Sequence, residues 1–166
     1  MLALLNTDPN AVLLEYGPVE SWDTSRVSDM SFGTSLPSAF DYNITGWDVT
    51  SVTTMSAMFE WHATFDNAGH ALTLDTSRLE DMSYMFYRAT GFAQSLQIET
   101  SNVHTMKGAF ATASALNQPL LFDTERVTTM HALFADAAVF NRPLAFDTAS
   151  VSDMRYMFAC TACPNG

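Results

Sequence analysis

The stretch "FDTERVTTMHALFADAAVFNRPLA" runs from Phe122 to Ala145, and "FDTASVSDMRYMFACTACPNG" begins directly after it at Phe146. Both segments follow one pattern: an apolar residue, an acid, small polar residues, Val or Leu, and then Met before a second apolar pair. The pattern occurs six times, at spacings of 25, 27, 24, 24 and 24 residues. A fixed period in this range predicts a solenoid in which successive copies stack. The copies begin at Trp22, Trp47, Leu74, Ile98, Phe122 and Phe146.

The methionines mark the predicted core. Apart from Met1, every methionine falls on one of two columns when the copies are aligned. Methionine is flexible and fills irregular gaps, so we interpret both columns as packed core and not as part of a ligand site. The first column contains Met30, Met55, Met82, Met106, Met130 and Met154; the second contains Met58, Met85 and Met157, with Ala109 and Leu133 in two other copies.

Two apolar periods alternate within each copy. After the acid, the apolar residues are spaced by three, three, one and three, which predicts one face of a short helix or 3₁₀ turn. Before the next copy the spacing becomes two, as at Leu144 and Phe146, which predicts a short strand. Each copy is therefore predicted to be a strand, a polar turn and a helical segment. The spacing of three is set by Val127, Met130, Leu133, Phe134 and Ala137.

The two ends and one insertion depart from the pattern. "TDPNAVLLEYGPVES" predicts a helix that is capped by Thr7 or Asp8 and ends at Gly17 and Pro18, so residues 1–21 are predicted to form an N-terminal helical cap. About three extra residues predict a loop between Phe65 and Leu72. The repeat region is 22–166, and its last copy is predicted to be incomplete, leaving an open strand edge.

Composition limits the partners. The formal net charge is -11 and the pI is near 4.4, which argues against nucleic acid, because phosphate binding needs clustered Lys and Arg. No stretch reaches the roughly 18 consecutive apolar residues of a membrane span. Charged residues make up only 15% of the chain, and Ser, Thr and Asn supply much of the polar surface. This balance is typical of extracellular and cell-surface repeat proteins.

The repeat also resembles a known family. "YGPVESWDTSRVSDMS", followed by "LDTSRLEDMSYMFYRATGFAQSL", is similar to the bacterial surface protein 26-residue repeat family, a mycoplasma-type relative of BspA-like leucine-rich repeats. The resemblance covers about residues 7 to 163. It implies an extracellular or surface location and a role in adhesion or assembly, and it supplies no catalytic residues.

Together these features predict an α/β solenoid: a leucine-rich-repeat-like right-handed superhelix of about six turns. The predicted function is a non-enzymatic structural module that self-assembles, head to tail, into a filament or surface layer through its open ends. The alternative is an adhesin-type module that recognises a host or matrix protein, or a glycan, through the side of the solenoid. No catalytic motif supports an enzyme.

One acidic column is the most specific candidate site. Its residues directly follow the apolar residue that opens each copy, so stacking would place like charges close together. Calcium would relieve the repulsion, since it takes several carboxylate oxygens. The favoured alternative is local: an Asp before Thr or Ser accepts backbone N–H bonds in a turn. The column contains Asp23, Asp48, Asp75, Glu99, Asp123 and Asp147.

Three smaller signals remain. Cys160 and Cys163 form a lone CxxC, for which a terminal disulfide or two buried thiols is favoured over pairing outside the chain, metal or redox chemistry. Asn43 begins the sequon Asn-Ile-Thr and is a glycosylation candidate. His62 stands where other copies place Ala, next to Trp61. It is predicted to be a structural histidine, with a ligand site near the 66–71 loop as the alternative.

Overall fold

The computed structural model describes residues 15–31 and 36–161. The start of the predicted cap helix at Thr7 or Asp8 and the second cysteine, Cys163, lie outside these residues. Glu15 and Tyr16 are helical, and a 3₁₀ helix follows at Val19–Ser21. Between them the chain turns at Gly17, which has a φ of 75°, and at Pro18, which has no backbone N–H to continue a helix.

Successive copies pair in parallel along the whole described chain. Strand β1 (Leu72–Leu74) pairs with strand β2 (Leu96–Ile98), with Leu72 opposite Leu96. A second line of isolated parallel bridges connects all six copies. The offset of each bridge equals the sequence spacing of the two copies that it joins. These bridges run from Asp29 to Thr54, Asp81, Thr105, Thr129 and Asp153.

The segments predicted to be helical have a different backbone. Each is a run of consecutive turns, here called the turn segments: 56–61, 83–88, 107–112, 131–136 and 155–160. The second and sixth residues of every turn segment have a positive φ, between 50° and 64°. A right-handed helix requires negative φ throughout, so these segments are not the short helices or 3₁₀ turns that the apolar spacing predicted.

Hydrogen bonds between copies hold the turn segments. In the first four turn segments, the N–H groups of the second, fourth and sixth residues donate to carbonyls of the next copy, over 2.7 to 3.0 Å. Ala57, Phe59 and Trp61, for example, donate to Ser83, Met85 and Tyr87. The N–H groups of the third and fifth residues donate within their own copy. The backbone polar groups are thereby satisfied without either a helix or a long strand.

The core consists of columns of identical or similar side chains. The Met column is fully buried from Met30 to Met130. One Phe column stacks with ring centroids 5.4 to 5.7 Å apart, within the range that favours aromatic pairs. This column contains Phe59, Phe86, Phe110, Phe134 and Phe158.

Buried threonines connect neighbouring copies next to the acidic column. Each hydroxyl donates to the carbonyl of the acid in the next copy, over 2.8 to 2.9 Å. Val49 occupies this position in the second copy and is also buried. Thr and Val have nearly the same shape, so both fit this buried position, and the Thr hydroxyl adds a hydrogen bond to the next copy. The threonines are Thr24, Thr76, Thr100 and Thr124.

Candidate functional surfaces

Every carboxylate of the acidic column holds a turn. Each accepts the backbone N–H of the residue two positions further on, over 2.8 to 3.2 Å. Asp23 also accepts the Ser25 hydroxyl, and Asp48 accepts the Thr50 hydroxyl, both at 2.6 Å. This is the geometry that the turn-capping alternative requires. It is formed by Asp23, Asp48, Asp75, Glu99, Asp123 and Asp147.

These bonds favour the charged carboxylate. The hydroxyl of Ser25, and then its backbone N–H, lower the pKa of Asp23. The hydroxyl and backbone N–H of Thr50 lower the pKa of Asp48 in the same way. Within residues 15–31 and 36–161, no group of three or more acidic, His or Cys side chains is arranged to hold a metal ion. Calcium binding by the column stays a prediction.

His62 and Asn67 of the inserted loop are both buried polar residues. His62 is buried, and its two ring nitrogens lie 2.8 Å from the Glu60 carbonyl and 3.3 Å from the Leu36 carbonyl. The loop contains a 3₁₀ helix, Asn67–Gly69. Buried Asn67 accepts the Ile44 N–H at 2.9 Å and donates to the carbonyls of His70 and Ala71. The side chains of His62 and Asn67 therefore have hydrogen-bonding partners within the protein, and a ligand site near the 66–71 loop stays a prediction.

Cys160 and Asn43 can be placed individually. Cys160 is exposed and is the sixth residue of the last turn segment, with a φ of 50°. Its predicted partner lies outside the described residues, so the disulfide stays a prediction. Asn43 is half-buried and its side chain accepts the Thr45 N–H at 3.1 Å. The Thr45 hydroxyl donates to the Ala71 carbonyl, so both polar residues of the sequon are held in place.

The last described copy has an exposed edge. Met154 and Phe158 are 44% and 50% exposed, whereas the residues one copy earlier in the same columns, Met130 and Phe134, are fully buried. Tyr156 is 67% exposed. In the described part of the chain, the N–H groups of Met154, Tyr156, Phe158 and Cys160 form no hydrogen bond, although their counterparts in earlier copies donate to the next copy.

A second exposed surface lies on the side of the stack, in the turn segments of the second to fourth copies. Trp61 is 52% exposed, and Arg88 places its guanidinium carbon 4.1 Å from the centre of the Trp61 ring system. Tyr84, Tyr87 and Lys107 lie beside this pair. The sequence did not predict this cluster, because its residues occupy variable columns of the repeat. The available signal was the concentration of Trp, Tyr and Arg at neighbouring positions of two adjacent copies.

The repeat architecture agrees with the family to which the chain belongs. The geometry defines a tandem-repeat protein whose copies are joined by backbone hydrogen bonds and continuous columns of core residues. The chain belongs to the family described as "Mycoplasma protein of unknown function, DUF285", which matches residues 9–121 and 96–165. The predicted membership of a mycoplasma-type repeat family is confirmed. No curated protein and no solved structure gives a significant match to the chain.

None of the helices within residues 15–31 and 36–161 has the length and apolar character that crossing a bilayer requires.

Proposed function

We propose that this protein is a non-enzymatic, extracellular or cell-surface structural module with a leucine-rich-repeat-like solenoid fold, related to BspA-like repeats. It assembles when the exposed edge of its last copy receives the repeat of a second chain. The parallel pairing of every described copy with the next supports the solenoid. The low charged content and the Ser- and Thr-rich surface support the location.

The assembly proposal rests on the backbone N–H groups of the last described copy, which point away from the preceding copy and have no partner among the described residues. The edge of the last copy presents N–H groups at the spacing that each earlier copy uses to reach carbonyls of its successor. The same edge has one acceptor, the Ser152 carbonyl, whose counterparts in earlier copies accept an N–H group of the next copy, so two such edges would mostly place donor against donor. A partner must supply carbonyls, so the contact is head to tail and joins different surfaces. A contact of this kind extends into a filament unless its rotation closes a ring.

Apolar burial would add to this pairing. Met154 and Phe158 would continue their columns in the partner and lose the exposure that they have in the single chain. Beside them lies a groove of about 400 Å³, lined by residues that include Phe140, Leu144 and Phe158. Burying apolar surface contributes about 25 cal/mol per Å², so these columns supply a driving force that hydrogen bonds alone would not.

The assembly role can be tested by light scattering and sedimentation over a wide concentration range, with electron microscopy of the concentrated sample. We expect the unmodified chain to form growing oligomers, and the double variant Met154→Asp, Phe158→Asp to stay monomeric. Leu121→Asp is the matched control, since Leu121 is 92% exposed on the strand side. A second series with and without calcium tests the acidic column, and assembly only with calcium would favour the metal alternative.

An unmodified chain that stays monomeric at every concentration in both conditions would contradict the assembly role. So would equal loss of assembly in the Leu121 control. Circular dichroism and thermal unfolding of each variant show whether it has kept its fold. The other candidate function, recognition of a partner by the side of the stack, is favoured by one specific observation, the exposed cluster around Trp61.

A further inference from the structure

The cluster on the side of the stack is centred on Arg88, whose guanidinium group contacts two aromatic side chains. The Arg88 guanidinium carbon lies 4.1 Å from the centre of the Trp61 ring system and 5.5 Å from the Tyr87 ring, and its Nε donates to the Tyr87 hydroxyl at 3.1 Å. Trp61 and Tyr87 meet edge to face at 6.0 Å. Among the described residues, the two terminal nitrogens of Arg88 make no hydrogen bond, so its planar fork is held in place with its donors unused.

A second cation is positioned beside it. Tyr84 packs edge to face on Tyr87, and its ring lies over Gly108, where an added Cβ would come within 2.6 Å of the ring. The Lys107 ammonium is 5.6 Å from the centre of the same ring. Gly108 therefore makes room for Tyr84, and Tyr84 in turn connects Lys107 to the aromatic cluster.

The charge of this cluster differs from that of the whole chain. The protein has 18 acidic residues and only seven Lys and Arg, and two of the seven are here. In the described part of the chain, no carboxylate lies within 4.0 Å of Arg88 or Lys107; Glu60 and Asp136 are on the same side but make no ion pair with either. Unpaired cations within an acidic surface are complementary to an external anion.

The aromatic rings restrict which anion fits. A half-exposed Trp and two partly exposed Tyr offer flat apolar surface against which the C–H face of a sugar ring packs. The Arg fork matches the planar oxygens of a carboxylate or the oxygens of a sulfate, and a neutral sugar would leave it without a partner. The cluster is also too small and too isolated for nucleic acid, which requires an extended basic surface.

We propose that Trp61, Tyr84, Tyr87, Arg88 and Lys107 form a binding site for an acidic glycan, a polysaccharide whose sugars carry carboxylate or sulfate groups. A sugar ring packs against the exposed aromatic surface, and its oxyanion binds the Arg88 fork with Lys107 nearby. This specifies the side-recognition role and rests on it, but it is independent of assembly, because the exposed edge belongs to the last copy.

The site can be tested with sugar oligomers by calorimetry and tryptophan fluorescence. Trp22 and Trp47 are buried, so quenching by a soluble ligand reports on Trp61. The probes are a galacturonic acid hexamer (carboxylated), a chondroitin sulfate hexamer (sulfated) and a galactose hexamer (neutral). We expect an acidic probe to bind and quench, with affinity that falls as salt rises. Which of the two acidic probes binds more tightly identifies the oxyanion.

Variants separate the site from general electrostatics. Arg88→Gln and Trp61→Ala are each expected to weaken binding by about tenfold or more, the scale of a lost charge-assisted contact. Arg78→Gln is the matched control, because it removes the same charge from an exposed position in a different turn. Light scattering of the same samples shows whether assembly is unchanged by Arg88→Gln, which distinguishes failure of this site from failure of the assembly role.

Any of four results would overturn the proposal. Three of them are absence of binding to both acidic probes, equally tight binding of the neutral hexamer, and equal loss of affinity in the Arg78 control. Acidic-probe binding that survives both Arg88→Gln and Trp61→Ala would reject this site but leave recognition by another part of the side surface.

Discussion

At the scale of single residues, the unusual feature is the left-handed backbone of the turn segments. Ten residues share it, two in each turn segment, and Gly108 is the only glycine among them. A left-handed conformation costs a non-glycine residue about 1–2 kcal/mol. The bonds between copies offset this cost in the first four turn segments, because there the residues with positive φ also donate to the next copy.

This strain predicts that glycine stabilises a suitable position. Ala132 has a φ of 54° and is partly exposed, so Ala132→Gly removes the Cβ penalty with little loss of packing. We expect its free energy of unfolding, measured by urea denaturation, to rise by about 1 kcal/mol. Gly108→Ala is the reverse test and should be destabilising, since its Cβ would also collide with the Tyr84 ring. A destabilised Ala132→Gly would mean that the positive φ carries no strain.

At the scale of elements, the repeat predicted which residues share a column but not the backbone that carries them. The apolar spacing of three, three, one and three puts the same side chains inward in a helix and in a run of turns, so the pattern does not separate the two. Glycines would have revealed the positive φ values, but Tyr84, Trp61 and Arg88 occupy these positions instead. Their conformation depends on bonds to the next copy, which a single copy does not contain.

The inserted loop is the element that depends most on one side chain. Asn67 is completely buried and satisfies the Ile44 N–H and the carbonyls of His70 and Ala71. We expect Asn67→Ala to lower the free energy of unfolding by about 2–3 kcal/mol, because it leaves buried backbone groups unpaired. Its φ of 52° adds to the cost, since Asn tolerates this conformation better than Ala.

Asn102→Ala is the matched control for this loop. Asn102 also makes hydrogen bonds to neighbouring copies, to the Ser77 carbonyl and to Arg126, but these lie at the surface. Its loss is expected to change the free energy of unfolding by less than about 1 kcal/mol. Chemical denaturation of both variants gives the comparison. Similar losses of unfolding free energy in the two variants would show that burial of Asn67 does not make its hydrogen bonds more stabilising.

At the scale of the whole molecule, the acidic residues predict a loss of stability in acid. Hydrogen bonds from neighbouring hydroxyl and backbone groups lower the pKa of Asp23, Asp48 and Asp29 below the ordinary value of 3.8. The Arg155 side chain does the same for the pKa of Asp153. A carboxyl whose pKa is lower in the folded state stabilises fully above 3.8, and this contribution is lost as the pH falls further.

Thermal unfolding between pH 7 and pH 2 would measure this loss. We expect the midpoint to change little down to about pH 5 and then to fall. Relief of repulsion within a net charge of -11 acts in the opposite direction, but at physiological salt it is screened beyond about 8 Å. Asp48→Asn keeps an acceptor for Thr50 and removes the titrating group, so its acid dependence should be weaker. A midpoint that rises on acidification would show that repulsion dominates.

The two candidate surfaces differed in how far the sequence could predict them. The repeat pattern predicted an open strand edge at the sixth copy. The proposed glycan site was not predicted, because Trp61, Arg88 and Lys107 come from three successive copies and lie near one another only when the copies are stacked. A pattern shared by all copies predicts the framework, whereas a site that is formed once lies in the residues that deviate from it.

The shared direction of the hydrogen bonds between turn segments also has an electrical consequence. In all of them the N–H belongs to the earlier copy and the carbonyl to the later one. Their peptide dipoles therefore add along the long axis, as they do in an α-helix, with the positive pole at the copy whose N–H groups are unpaired. A filament of these chains would have two electrically different tips, and its donor tip would attract the acidic surface of an approaching subunit.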